Sequence, residues 1–345
     1  MLLGLFPLRS ETLKLRTVVI DAGHGGKDAG AVSKDKKSYE KTFTLSIAST
    51  LAEKIRKEFP DVKVVMTRTT DRFVELRDRA EIANKAGGQL FISVHINSSV
   101  STSPNGYSVH ILGQSSNKNR DLFAYNMDVV KRENSVILLE DDYSTKYQGF
   151  DPSDEQSYIF MTLMQNAHLE QSLLVASVIS EKLKGGPIKA DRGIWQNPFY
   201  VLWKTAMPAV LVELGFISNQ NDLSNLKQES KREDLAERLF QAFKDYKGIY
   251  DSSLDIHHEE ETTTPVAADV RYGTQIFASS RSIDPSDEMF MGYVPTVINI
   301  GSLNKYIIGV FESEDEARKA NQEIKTKYPG CFMVRLSSDG VTRFK

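Results

Sequence analysis

Short apolar runs, separated by amphipathic stretches, organise the first two thirds of the chain. The runs are rich in valine and isoleucine and end at glycine or polar residues, which is the pattern of β-strands. Several are apolar throughout, as expected of strands that are covered on both faces of a sheet. The predicted strands are residues 17–21, 62–67, 90–94, 106–112 and 210–213.

Helical periodicity fills the intervals between these runs. Phe43, Ile47, Leu51 and Ile55 recur every fourth residue with charged residues between them, so residues 40–59 predict an amphipathic helix. Strands that alternate with helices indicate an α/β fold, with helices on the faces of one sheet. The other predicted helices are residues 74–86, 157–184 and 231–246.

Residues 113–160 break this alternation. The segment is polar at first, carries an acidic stretch at 140–142 and ends in a loop rich in Gly, Asp, Pro and Ser. A long insert of this kind within a compact domain is a functional loop, a lid or a disordered segment. We therefore predict a first domain at residues 16–248 that contains this insert.

A second domain is predicted at the C-terminal end. Residues 249–270 contain a run of Thr with Ser, Asp, Glu and His and lack an apolar period, so we interpret them as a linker. Residues 271–345 then predict a small, separate α+β domain. Its predicted strands are residues 272–279, 306–311 and 331–336, and its predicted helix is 313–327.

Composition narrows the class of protein. The chain has 345 residues, 40% hydrophobic and 26% charged, which is ordinary for a globular protein and long enough for two domains. A net charge of −3 without a basic stripe interleaved with aromatics argues against a nucleic-acid partner. Cys331 is the single cysteine, which excludes an internal disulfide framework and a cysteine-rich zinc site.

Residues 1–15 form an N-terminal tail. Its apolar start is too short to span a bilayer and lacks a basic residue ahead of it. We expect either the remnant of a secretion signal whose start lies upstream or a plain apolar tail. The rest of the sequence predicts no membrane span.

Two histidines follow the ends of predicted strands. His24 stands in the glycine-rich turn after the first strand, and His95 follows the third. Open α/β sheets place their sites beyond the carboxyl ends of the strands. Glu40 begins the first helix, from which its carboxylate can turn back towards the same edge. Two imidazoles and a carboxylate, with one position left for water, are typical of a catalytic zinc ion.

Glu213 is the candidate general base. It lies at the end of an apolar strand, where burial raises the pKa of a carboxyl group and suits it to move a proton from water to a leaving amine. Together these residues predict a zinc hydrolase with one Zn²⁺ per chain. Each also has a plainer interpretation: a turn histidine, a hydrogen-bonded histidine, a helix-opening acid and a carboxylate paired with arginine.

The motifs around these positions resemble the zinc-dependent N-acetylmuramoyl-L-alanine amidases of the Amidase_3 type. The resemblance covers about residues 16–246. Its specific motifs are IDAGHGG at 20–26, EK at 40–41, SVHIN at 93–97 and PAVLVELGFISN at 208–219.

This resemblance carries expectations about fold, site and activity. It implies a twisted, mostly parallel sheet flanked by helices, and it assigns His24, Glu40 and His95 as zinc ligands and Glu213 as the catalytic glutamate. It implies hydrolysis of the amide between N-acetylmuramic acid and L-alanine in peptidoglycan, in the periplasm, for wall remodelling and daughter-cell separation.

Cell-division amidases of this family carry an insert at the position of residues 113–160, where a helix covers the zinc until a partner removes it. The resemblance therefore implies a regulatory insert and an activator protein, with a specificity loop or disorder as the alternatives. We expect an acidic residue of the insert to block the metal. The candidate acids are Glu133, Glu140, Asp141 and Asp142.

Three further polar residues belong to motifs of this resemblance: Asn97 in SVHIN, Arg68 in TR at 67–68 and Arg77 in LR at 76–77. We expect Asn97, Arg68 and Arg77 to support the metal ligands or to contact substrate, because partners of this kind orient metal-bound side chains.

Residues 271–345 resemble a SPOR domain, on YGTQIFAS at 272–279 and KYIIGVF at 305–311. The resemblance implies a βαββαβ order and binding to glycan strands stripped of peptide; a plain α+β appendage is the alternative. For the whole chain, the alternatives to an amidase are a catalytically silent, peptidoglycan-binding septal protein and a hydrolase of another bond.

Overall fold

The computed structural model describes residues 14–113, 120–147, 150–152, 168–259, 270–279, 283–287, 290–300, 303–328, 331–337 and 340–343. The chain divides into two compact units, Met1–His257 and His258–Lys345.

The first unit is built on a mixed, mostly parallel sheet. Across its described residues the strand order is β2-β1-β3-β6-β4-β5. Neighbouring strands run parallel except β4, which is antiparallel to β6. The strands are β1 Thr17–Ala22, β2 Lys63–Met66, β3 Leu90–Asn97, β4 Tyr107–Ile111, β5 Asp191–Gln196 and β6 Ala209–Phe216.

Helices cover both faces of this sheet, as the sequence pattern predicts. Their bounds are α1 Glu40–Glu58, α2 Leu76–Lys85, α3 Arg120–Asn134, α4 Tyr143–Lys146, α5 Leu169–Leu183, α6 Tyr200–Trp203, α7 Gln220–Lys227 and α8 Glu229–Glu259, with a 3₁₀ turn at Ser135–Leu139.

Each face of the sheet has its own core. On one face, side chains such as Ile20, Ile92 and Val212 pack against the apolar sides of α1, α5 and α8. On the other face, Val19 and Leu211 pack with residues of α2, the end of α3 and α6. The second face carries the functional site described below.

Several elements were not predicted from the sequence. Strand β5 is half-exposed and reads Asp-Arg-Gly-Ile-Trp-Gln, so it carries little apolar signal. The insert holds α3, the 3₁₀ turn and α4 within a segment whose polarity suggested a loop. The predicted helix at 157–184 is helical from Leu169, and its first residues lie outside the described part of the chain.

Helix α8 runs further than its periodicity predicts. It continues to Glu259, through the first residues assigned to the linker, while residues 260–269 lie outside the described residues. Asp251 stabilises the part of the helix just beyond its predicted end. It accepts hydrogen bonds from Lys247 Nζ at 2.6 Å and from the backbone N–H of Leu15 at 2.8 Å, which hold the first of the additional turns.

The second unit contains an antiparallel sheet with the order β11-β10-β7-β9-β8 across its described residues. A buried apolar cluster that includes Ile276, Tyr306 and Ile308 from the sheet and Ile324 from α9 forms its core. The elements are β7 Arg271–Ser279, β8 Thr296–Ile300, β9 Leu303–Phe311, α9 Glu314–Lys327, β10 Phe332–Ser337 and β11 Gly340–Arg343.

The described residues between β7 and β8 differ from the first helix of a βαββαβ order. Residues 283–287 and 290–295 form turns and extended segments there. Pro285, Gly292 and Pro295 oppose a helix, and Asp284 accepts hydrogen bonds from the N–H and hydroxyl of Ser286. No α-helix within the described ranges combines the length and apolar character that crossing a membrane requires.

Candidate metal centre

Alternation along the strands turns one face of the sheet polar at its carboxyl edge. Parallel register pairs Asp21 of β1 with Ser93 of β3, and His95 of β3 with Glu213 of β6. Their side chains share a face because strand residues alternate between faces with a period of two. Two residues earlier on the same face, Val19 of β1 and Leu211 of β6 are apolar and belong to the core of that face. The polar groups therefore lie at the edge of this core.

The glycine-rich turn after β1 presents His24 to this edge. His24 adopts a left-handed backbone with φ of 61°. Arg79 Nη2 donates to the His24 carbonyl oxygen at 2.8 Å, and Arg68 Nη2 donates to the Gly23 carbonyl oxygen at 2.8 Å. Asp28 Oδ2 lies 2.8 Å from His24 Nδ1, so the Nε2 atom of the ring is left to face the site.

Backbone N–H groups fix the carboxylate of Glu40. Its Oε2 accepts the N–H of Ala31 at 2.8 Å and its Oε1 accepts the N–H of Ile96 at 2.8 Å. Burial and the negative charge of Glu133 raise the pKa of Glu40, but His24 and His95 together outweigh them and lower the pKa to about 2. The carboxylate at the start of α1 is therefore fixed and ionised.

Four buried side chains converge on one point. Glu40 Oε1 lies 3.1 Å from His24 Nε2 and 3.2 Å from His95 Nδ1. Glu133 Oε2 lies 3.1 Å from each of the same two nitrogen atoms. Within the described residues, one ligand atom from each of the four lies within 4.8 Å of all the others.

This donor set fits a zinc ion. Two imidazole nitrogens and two carboxylate oxygens are the ligand types and number of a tetrahedral zinc site. His24 Nε2 and Glu133 Oε2 are buried without a hydrogen-bond partner among the described residues. Burial lowers the pKa of His95, but Glu133 and Glu40 outweigh it and raise the pKa to about 9, so positive charge is favoured at this point.

Glu213 lies beside this cluster and is fully buried. Neither of its carboxylate oxygens has a hydrogen-bond partner in the described part of the chain. Burial, reinforced by the negative charge of Glu133, raises the pKa of Glu213 to about 8 against the opposing effect of Arg132. A carboxylate in this state is suited to accept a proton from water.

The insert brings one of its four candidate acids to the site. Glu133, at the end of α3, is the acid in the cluster. Glu140 is instead buried at the start of α2, where it accepts the N–H of Leu76 at 3.0 Å and the hydroxyl of Tyr147 at 2.7 Å. Asp141 and Asp142 are exposed. Of the four candidates, the structure brings Glu133 to the cluster and not the other three, because Glu140 caps a helix and Asp141 and Asp142 face solvent.

Of the three residues expected to support the ligands, Arg68 and Asn97 are buried near the site and Arg77 is not. Arg68 is buried under the glycine-rich turn, and Asn97 is buried at the end of β3. Arg77 lies on the surface of α2 and pairs with Glu81, so the structure does not bring it to the site.

Sequence reasoning gave no role to Asp28 and missed Arg132. Asp28 follows His24 by four residues, and this short spacing could have indicated that its carboxylate contacts the imidazole. Arg132 Nη2 lies 2.7 Å from Glu133 Oε1 and 3.7 Å from Glu213 Oε1. An Arg-Glu pair in a polar insert carries no signal of this placement.

His110 of β4 forms part of the polar face next to Glu213. Its neighbour Ser108 lies opposite Glu213 in the sheet register. His110 Nδ1 lies 2.8 Å from Asn197 Oδ1, and its Nε2 lies 2.9 Å from the Ser108 hydroxyl. Since the Asn197 oxygen accepts, Nδ1 donates and the hydroxyl donates to Nε2, which describes a neutral imidazole.

Comparison with known proteins defines the class of protein first. The family described as N-acetylmuramoyl-L-alanine amidase, Amidase_3, matches residues 18–245, which is more than half of the chain. N-acetylmuramoyl-L-alanine amidase AmiA of Escherichia coli is 31% identical over 237 residues, which are 69% of this chain and 78% of that protein. The chain therefore belongs to the N-acetylmuramoyl-L-alanine amidase family.

Two further similarities are found. Probable N-acetylmuramoyl-L-alanine amidase AmiB of Haemophilus influenzae is 29% identical over 237 residues, which are 65% of this chain, and the match spans about half (50%) of that protein. An N-acetylmuramoyl-L-alanine amidase structure from Clostridium difficile is 26% identical with a TM-score of 0.49, covering 68% of this chain and 97% of that one. The family match lies within the first unit.

Gly30 tests how tightly the cluster is packed. A Cβ atom there would lie 2.6 Å from His24 Cδ2 and 2.7 Å from Glu40 Oε2, at a φ of +63°. Gly87 has a φ of +66° with open space around it, so Gly87→Ala is the matched control for backbone strain. We expect Gly30→Ala to lower the free energy of unfolding by about 1–3 kcal/mol more than Gly87→Ala, through overpacking.

The measurement is urea unfolding followed by tryptophan fluorescence, because Trp195 and Trp203 both lie in the first unit. Equal losses for the two variants would show that the cluster relaxes freely around the added methyl group.

His110 makes the stability of the first unit depend on pH. Burial lowers the pKa of His110 to about 4, helped by the charges of His95 and Arg132 and opposed by Asn197 and Glu133. As pH falls below 6.5, His110 becomes protonated in the unfolded chain but stays neutral in the folded chain. The free energy of unfolding therefore decreases towards pH 4.

We expect His110→Gln to weaken this loss between pH 7 and pH 4.5 in the same urea assay. His168→Gln is the control, because His168 is only partly buried. A pH slope that is the same for His110→Gln and the unaltered chain contradicts the prediction.

Proposed function

We propose that this chain is a zinc-dependent amidase of peptidoglycan. It hydrolyses the amide that joins the lactyl group of N-acetylmuramic acid to L-alanine. The observation that carries the proposal is the convergence of His24, Glu40 and His95 on one point next to the buried carboxylate of Glu213. Family membership supports the substrate and the reaction.

His24, Glu40 and His95 are the proposed ligands. A zinc ion held there supplies Lewis-acid activation and lowers the pKa of a bound water to about 7. Asp28 keeps His24 in the tautomer that leaves Nε2 free to bind, and the N–H groups of Ala31 and Ile96 orient Glu40. His24 and Glu40 are thus positioned before any ion arrives.

Glu213 is the proposed general base and acid. It accepts a proton from the attacking water and returns it to the nitrogen of the leaving L-alanine. The new C–O bond forms first and the C–N bond then breaks. Both protons of the water end on the nitrogen, one of them through Glu213, so the products are a lactyl carboxylate and an α-ammonium group. The buried position of Glu213 keeps its pKa near neutrality, where both proton transfers are accessible.

The insert is proposed to regulate this site. Glu133 of α3 reaches the same two imidazole nitrogens as Glu40, so it occupies a ligand position that substrate and water need. An activator protein that withdraws α3 would vacate that position. We also propose a periplasmic location and a role in daughter-cell separation, and we assign binding of peptide-free glycan strands to the second unit as a SPOR-like domain.

Digestion of purified sacculi tests the amidase. The full chain carrying Glu133→Ala, loaded with zinc, is expected to release peptide stems while the glycan strands stay intact. Adding Glu213→Gln should lower the release rate by about 10²–10⁴-fold, the usual contribution of general acid–base catalysis, with zinc content unchanged. Adding His24→Ala should instead lower the zinc content measured by atomic emission.

Cut glycosidic bonds would reassign the enzyme to another hydrolase class. Tight binding to sacculi without any release would favour the catalytically silent septal protein.

Glu133 itself tests the regulatory role. We expect Glu133→Gln to raise the release rate of the full chain at least about 10-fold, because a neutral amide competes poorly for a zinc ligand position. Asp128→Asn is the matched control, since Asp128 is an exposed acid on the same helix. A lower or unchanged rate for Glu133→Gln contradicts autoinhibition by this residue.

A further inference from the structure

Arg132 occupies a pocket that consists of acceptors. Its Nη1 donates to the Ser98 carbonyl oxygen at 2.9 Å and to Asn97 Oδ1 at 3.2 Å. Its Nη2 lies 3.7 Å from Glu213 Oε1. Asn97 Oδ1 also accepts the N–H of Ser98 at 2.7 Å, which fixes the direction of the amide oxygen. Two neutral oxygens and one carboxylate therefore face a single cation.

The neighbouring residue places the opposite charge on the other side of the site. Glu133 puts its carboxylate between His24 and His95, while Arg132 puts its guanidinium against Glu213. The two side chains also pair with each other, with Arg132 Nη2 2.7 Å from Glu133 Oε1. The end of α3 thus presents a carboxylate and a cation to adjacent positions.

Hydrolysis of an amide produces the same two charges. Water adds its oxygen to the acyl carbon, the C–N bond breaks, and the nitrogen leaves with the protons as an ammonium group. At pH 7 the α-amino group of a peptide is largely protonated, because its ordinary pKa is about 8. The products of the proposed reaction are therefore a lactyl carboxylate and an L-alanine ammonium group, held briefly in adjacent positions.

We propose that Asn97, the Ser98 carbonyl and Glu213 form the subsite for the leaving L-alanine amine. Arg132 occupies this subsite in the closed state, so the end of α3 is a mimic of both products. The proposal rests on the amidase function proposed above. It makes Asn97 a residue that contacts the substrate, and it explains why a half-buried arginine lies against the proposed catalytic carboxylate.

The subsite is specific for a group that donates hydrogen bonds and carries positive charge. Each of its three contacts offers an oxygen, and Glu213 has no hydrogen-bond partner of its own in the described residues. An acetylated amine has one N–H and no charge, so it leaves acceptors unsatisfied in a buried pocket, which is costly. The pocket should therefore discriminate between a free and an acetylated amino terminus.

Calorimetric binding of two synthetic peptides tests the subsite. The probes are an L-alanyl tripeptide with a free amino terminus and the same peptide after N-acetylation. The protein is the zinc-loaded full chain carrying Arg132→Ala and Glu133→Ala, which empties both positions. We expect the free peptide to bind at least about 10-fold more tightly than the acetylated one, a difference of about 1.4 kcal/mol.

Asn97 variants in the same background assign the preference to the subsite. Asn97→Leu removes the acceptor and should reduce the preference below about 3-fold. Asn97→Asp keeps the oxygen and adds charge, so it should preserve or increase the preference. If Asn97→Leu fails to fold in a thermal melt, the Asn97→Asp result decides alone: a preference that collapses overturns the proposal.

The outcomes separate this inference from the proposed function. Equal binding of the two peptides by an enzyme that releases stems from sacculi overturns the amine subsite and leaves the amidase intact. A preference that Asn97→Leu does not change overturns the assignment of Asn97. Absence of any stem release by the emptied enzyme counts against the amidase itself.

Discussion

The first unit buries two carboxylates side by side and must place positive charge between them. Glu40 and Glu133 approach the same pair of imidazole nitrogens in a place that water does not reach. Buried like charges are strongly unfavourable unless positive charge lies between them. The arrangement is stable only around a shared cation or protonated imidazoles, and this requirement links the glycine-rich turn, the first helix and the insert.

Rigid support behind the ligands comes from a second polar network. Asp21 accepts hydrogen bonds from Thr67, Ser93 and Arg79, and it is fully buried. Burial raises the pKa of Asp21, but the charges of Arg79 and His95 and the hydrogen bonds from Thr67 and Ser93 together outweigh it and lower the pKa to about 2. Arg79 in turn holds the carbonyl oxygen of His24, so the charge on a strand residue is coupled to the backbone of a proposed ligand.

The insert is anchored to the rest of the first unit next to Glu133. Asn134 directly follows Glu133 in the chain. Its side chain donates a hydrogen bond to the Pro198 carbonyl oxygen and accepts one from the N–H of Tyr200. Glu140 and Tyr147 tie the following turns to the start of α2. Because these anchors belong to the same chain, the Glu133 carboxylate is always at high local concentration near the two imidazoles. Under the proposed regulation, access to the site requires that the end of α3 be displaced.

The amino-acid sequence determined the strand and helix alternation and pointed to His24, Glu40, His95 and Glu213. These features can be predicted from the sequence because an apolar run, a glycine-rich turn and a helix start each depend on residues that are neighbours in the chain. Strand β5 and the longer α8 were missed because partners distant in sequence, such as Leu15 for Asp251, hold them.

Which acid of the insert reaches the ligands, and what Arg132 contacts, were decided by tertiary structure alone. Four acids in one polar segment look equivalent in sequence, and only the packing of α3 on the sheet selects Glu133. The physical reason is that a charge becomes functional through the groups it meets when buried, and those groups come from β1, β3 and β6 rather than from its own neighbours.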